Sequence, residues 1–172
     1  MSLELCGRLL SMRYPFAAMY RRSKVPFIEH LLRPALDKHY VDVVERQEVK
    51  KLFGVLKRNL MIWYAADIDM GRSKSVFAPF MGVMTATMTA PSRLAQKTGA
   101  TILPVTFYRK GHHYHLDFTP MPDQYPTGEP LEDAELLNAV LTQSVSAHPD
   151  QYMWQYKRFK TRPPGEERFY KR

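Results

Sequence analysis

The strongest constraint on the fold is a helix pattern that runs directly into an apolar strand. Residues 45–58 place Val49, Leu52, Phe53 and Leu56 at i, i+3, i+4 and i+7, acids first and Lys57 and Arg58 last, so the spacing predicts an amphipathic helix with favourable end charges. Through Asn59 it enters residues 60–66, LMIWYAA, which carry no polar break and read as a strand buried on both faces. The run stops at Asp67, Asp69 and Gly71. Ligands in open α/β sheets sit beyond such strand ends, and in extended geometry both carboxylates point to one side. An ordinary polar turn is the open alternative.

The rest of the chain repeats the alternation of helix and strand, giving an α/β class with a mixed sheet flanked by helices. Helices are expected over residues 2–12, from Pro26 with Pro34 ending or kinking it, over residues 91–97 before Gly99, and over residues 131–147. Strands are expected over residues 16–20 and 101–108, and over 113–119 as the second arm of a hairpin turning at Lys110 and Gly111. With 172 residues, no internal repeat and no linker, the reading is one domain over residues 1–172. Residues 77–88, rich in Met and Phe, are ordinary core or the lining of an acyl groove, with Met81, Met84 and Met88 as candidates.

A formal net charge of +8 implies an anionic partner: nucleic acid, a phosphorylated small molecule, an acidic protein or lipid headgroups. The single cysteine, Cys6, makes no internal disulfide and reads as a small buried hydrophobe. No apolar run approaches the roughly 20 residues of a spanning helix, and no signal-peptide pattern is present. His112, His113 and His115 lack the spacing of a metal site and suit a surface hairpin. Neither a P-loop nor a G-x-S-x-G elbow occurs. The tail mixes Tyr152, Trp154, Tyr156, Lys157, Arg158, Phe159, Lys160 and Arg162. It could stack bases, bind a phosphorylated headgroup, or simply pack its aromatics inward.

Four segments carry a more specific likeness: MSLELCGR at residues 1–8, WYAADIDMG at 63–71, VFAPFMGV at 76–83 and QYMWQYKRFKTRP at 151–163. Together they resemble the lipid A late acyltransferases of the lysophospholipid acyltransferase superfamily, over the C-terminal part of a typical member. The resemblance implies transfer of a fatty acyl chain from an acyl carrier thioester to a hydroxyl of a lipid A precursor, at the cytoplasmic face of the bacterial inner membrane. It implies acyl carrier protein, the precursor and a membrane surface as partners, no nucleic acid, and no cofactor or metal. Family members use a histidine base with an acidic residue five positions later. Glu4 matches that acid, and the histidine would fall two residues before Met1, which leads to an expectation of impaired transfer by these residues alone. An N-terminal anchoring helix and further elements would likewise lie upstream, leaving an expectation of poor solubility.

The same resemblance makes Asp67 a catalytic-site carboxylate with Glu4, and Arg21, Arg158 and Arg162 substrate-binding residues; Asp69, singled out by its place at the strand end, is read as substrate-binding beside them. A further basic residue of the family falls on Leu36, with Arg33 the nearest arginine. His112 and Asp117 also stand five apart, but on a strand they face opposite sides. Other readings are a non-catalytic remnant or paralogue that binds an anionic lipid or carrier, and a small basic nucleic-acid-binding module.

Overall fold

The computed structural model describes residues 2–170, with side chains from residue 5 onward. The chain forms two compact units, residues 1–64 and 65–172. Among the described residues are five α-helices and seven strands, the strands in three small sheets that supply both parallel and antiparallel pairing.

Unit 1 is built on β1 (Phe16–Tyr20), the central strand of a parallel sheet in the order β2-β1-β3, with β2 at Asp42–Glu45 and β3 at Met61–Trp63. Phe16, Ala17 and Ala18 of β1 are buried, as are Val43 and Val44 of β2. Parallel neighbours require crossovers, and here these are α2 (Pro26–His39) and α3 (Val49–Lys57). The helix expected over residues 45–58 therefore gives up its first turn. Val43, Val44 and Glu45 pair with β1 instead, and the Glu48 carboxylate accepts the Glu45 amide at 2.8 Å. The strand expected over 60–66 is cut to three partly exposed residues because β3 pairs with β1 alone. Pro34 stays inside α2 without ending it.

Helix α1 (Ser2–Ser11) buries Cys6 and Leu10. Gly7 is required by a close approach: a Cβ there would meet the Tyr40 hydroxyl at 2.9 Å and Trp63 Nε1 at 3.2 Å. Gly7→Leu is expected to destabilise unit 1 by about 1–3 kcal/mol through overpacking. Thermal unfolding followed by Trp63 emission in a Trp154→Phe background checks this, and an unchanged midpoint would mean that Tyr40 and Trp63 swing aside freely.

Unit 2 opens with a single 3-10 turn at Arg72–Lys74 and the hairpin β4 (Ser75–Phe80) and β5 (Val83–Met88). Its two-residue turn, Met81-Gly82, has φ of 51° and 77°, the positive pair of a type I′ hairpin. After α4 (Ala90–Thr98), capped by Gly99 in the left-handed region, comes a second hairpin, β6 (Val105–Lys110) and β7 (His113–Phe118). Helix α5 (Pro130–Ala147) packs along β4, and Phe80, Val145 and Phe159 form a core with Leu141, Tyr152 and Tyr170 against it. Among the described residues no helix is long and apolar enough to cross a membrane.

Candidate functional site

In unit 1 the reachable candidates are few. Glu4 lies on α1, and its side chain is outside the described residues. Arg21 is exposed directly after β1, because the strand ends at Tyr20 and the chain turns out toward α2. Tyr20 itself donates to Glu29 at 3.0 Å and lies under the Arg33 guanidinium at 5.6 Å.

Unit 2 assembles the other four. Asp69 is buried, and both carboxylate oxygens are engaged: Oδ1 accepts the Gly71 amide at 2.8 Å and Oδ2 accepts the Thr161 amide at 3.0 Å. The Asp69 amide in turn donates to the Tyr156 hydroxyl at 2.7 Å. One aspartate thus ties the loop before β4 to the aromatic tail. Beside it, the Tyr152 hydroxyl donates to Asp67 Oδ2 at 3.1 Å. Burial and the neighbouring Asp67 charge push the Tyr152 phenol well above its ordinary range, so it stays a donor.

Arg158 lies wholly inside, only 1% exposed. Nη1 donates to the Ala86 carbonyl at 2.6 Å and Nη2 to Thr87 Oγ1 at 3.3 Å, while the guanidinium sits 5.6 Å from the Phe80 ring centre. Burial pulls its pKa down, and Tyr152, Asp67 and Asp69 act in the opposite sense to keep it charged. Thr87 Oγ1 also accepts from Asn138 Nδ2 at 2.7 Å and donates to the Thr85 carbonyl at 3.1 Å. Asn138, Thr85 and Thr87 are members of this site that the sequence reading did not single out. A signal existed: Ala134, Leu137, Asn138, Leu141 and Val145 share one helical stripe, and a polar residue inside an apolar stripe marks a buried network.

Arg162 donates Nη1 to the Met84 carbonyl at 2.6 Å and pairs with Glu166. Its own carbonyl accepts from Arg72 Nε at 3.2 Å and Nη2 at 3.0 Å. Around it opens a cleft of ≈ 630 Å³ lined by Arg72, Lys160, Arg162 and Arg168, with Glu166 as the only carboxylate among its lining residues. The structure therefore gathers Asp67, Asp69 and Arg158 into an interior network and sets Arg162 at the edge of a cationic cleft. The methionine candidates behave differently from one another: Met88 is buried, Met84 exposed, and Met81 in the hairpin turn packs on the Phe80 core. Among the described residues no group of three or more His, Cys, Asp or Glu side chains is placed to hold a metal ion.

The residues that build this network come from the segments 63–71, 76–83 and 151–163, extended by the rest of β5 and by α5. A family model described as bacterial lipid A biosynthesis acyltransferase matches residues 1–161. The chain belongs to that family. Among its relatives, the lipid A biosynthesis palmitoleoyltransferase of Escherichia coli (strain K12) is 35% identical over 99% of this chain and 56% of its own length. The lipid A biosynthesis lauroyltransferase of the same strain is 36% identical, over 96% of this chain and 55% of its own length. A lipid A biosynthesis acyltransferase of Haemophilus influenzae is 26% identical, over 95% and 54%. The chain thus spans about half the length of the curated relatives it matches.

Proposed function

We propose that the chain contributes to an acyltransferase site that moves a fatty acyl group from an acyl-carrier thioester to a hydroxyl of a lipid A precursor, at the cytoplasmic face of the inner membrane. One observation carries the reading. The segment with the most specific family likeness, 151–163, is bonded to another of the four, 63–71, through Asp69, Tyr156 and Thr161. Family membership and relatives named for acyl transfer in lipid A biosynthesis support the reaction class.

In this scheme an imidazole takes the acceptor hydroxyl proton as the oxygen attacks the thioester carbonyl. The C–O bond forms, the C–S bond breaks, and the proton passes to the departing thiolate. Of unit 1, Glu4 is the acid proposed to orient the imidazole and Arg21 to meet a substrate anion. Of unit 2, Asp67, held by Tyr152, is proposed to support the acceptor, with the cleft of Arg72, Lys160, Arg162 and Arg168 as the seat of a phosphate. Asp69 and Arg158 act from behind, fixing the shape of the cleft wall. The scheme needs no metal and no cofactor beyond the thioester.

The test is acyl transfer from carrier thioester to detergent-dispersed precursor by residues 1–172 and by Asp67→Ala, corrected for the protein-free rate. We expect transfer above that rate, lowered about tenfold or more in Asp67→Ala. No transfer, with precursor still bound, would favour the non-catalytic binding reading, and transfer unchanged in Asp67→Ala would take that carboxylate out of the site.

A further inference from the structure

Helix α2 wears its amphipathic pattern inside out. At about 100° per residue, Phe27, Leu31, Ala35, Ile28 and Leu32 fall in one arc of about 140°. In a helix packed on its own sheet this arc would be inward. Here Phe27 is 70% exposed, Leu31 57% and Ile28 50%, and no residue of α2 is buried. The orientation is fixed by the polar side. The Glu29 carboxylate accepts the Tyr20 hydroxyl at 3.0 Å and the Ser23 amide at 2.8 Å, and Arg33 donates to Tyr20 at 3.3 Å while pairing with Asp37. The sequence frames the apolar arc with cations: Arg21, Arg22 and Lys24 precede it and Lys38 follows, all of them exposed.

From this we infer that the exposed face of α2 is a contact for an anionic lipid surface, with Phe27, Ile28, Leu31 and Leu32 entering the boundary of the acyl region and Arg22, Lys24 and Lys38 meeting headgroup phosphates. Charge decides the occupant. An apolar arc alone would accept any greasy partner, but one rimmed by cations, in a chain of net charge +8, is complementary to a negatively charged leaflet. This rests on the proposed function and deepens it by naming the element that brings the chain to its lipid substrate.

The experiment is sedimentation of the 172-residue chain with vesicles of phosphatidylcholine containing roughly a third phosphatidylglycerol, against phosphatidylcholine alone. F27S/L31S is expected to lower partitioning about tenfold or more, and R22S/K24S roughly fivefold for each charge removed, on anionic vesicles only. Both pairs are exposed, so folding is undisturbed. As a second readout, Phe27→Cys is labelled with an environment-sensitive fluorophore. Cys6 is buried and its thiol pushed up to about 11 by that burial, which directs the label to residue 27. A blue shift on vesicle binding is expected.

Partitioning of F27S/L31S within about twofold of the parent, or a label that stays in water while the chain is bound, would overturn the inference. So would a parent dimer that F27S/L31S dissociates without any vesicle effect, which would assign the face to a second copy. Transfer to detergent-dispersed precursor is read separately. Its loss in the parent with vesicle binding intact counts against the proposed function alone, and the converse against α2 alone.

Discussion

Arg158→Ala is expected to destabilise unit 2 by about 3–5 kcal/mol, the usual cost of deleting one partner from a buried charged network. The guanidinium has two directed bonds, to Ala86 and Thr87, and a ring face beneath it. Alanine leaves the Ala86 carbonyl unpaired, opens a cavity against Phe80, and removes the positive charge that Asp67 and Asp69 face. Arg158→Lys should recover little, because one ammonium cannot span both acceptors in the planar geometry of arginine. Arg158→Met separates packing from charge, since it restores much of the volume and none of the bonds. The measurement is urea unfolding in a Trp63→Phe background, so that Trp154 alone reports on unit 2. A parental midpoint in Arg158→Ala would show that the tail is held by its aromatic contacts and that the guanidinium is dispensable.

Asp69→Ala is expected to cost about 3 kcal/mol, because two amide donors, those of Gly71 and Thr161, lose their acceptor in a buried setting. Asp69→Asn is the sharper test. Its amide oxygen can keep one bond, while its NH₂ must face the remaining N–H, so a loss of about 1–3 kcal/mol should persist despite the near-identical shape. Hydrogen exchange gives a local readout: the Thr161 amide should exchange faster in both variants. Unchanged protection at Thr161 would mean that the tail docks without this bond.

Much of the architecture was legible because its elements follow strong periodicities. Strand β1 and helices α1, α4 and α5 fall within a residue or two of the expected bounds, and α2 starts at Pro26 as expected but runs past Pro34 to His39. What escaped notice had physical causes. Val43 and Val44 were shadowed by the helical pattern that follows them, and only pairing with β1 makes them a strand. The turn at Met81-Gly82 lacks the Asn-Gly or Asp-Gly that usually signals a type I′ hairpin. Of the site, Asp67 and Asp69 stood out by position. Nothing local distinguishes an aspartate that meets a substrate from one that clasps the tail, because Tyr156 and Thr161, the tail partners of Asp69, lie more than 80 residues away. The tail gave three open readings, and for Arg158 and Phe159 the inward-packing one holds.

That separation governs how unit 2 must form. The clasp between Asp69 and Thr161 closes a loop of 92 residues, which contains both hairpins and α5. Loop closure over such a span is entropically costly, and its gain arrives only when every intervening element is in place. During synthesis the hairpin of β4 and β5 would emerge first with Thr85, Ala86 and Thr87 bare, awaiting an arginine made some 70 residues later. For that interval the nascent strand offers unpaired polar groups on an apolar surface. Chaperone demand, more than final stability, is then where sequence changes in the tail would first be felt.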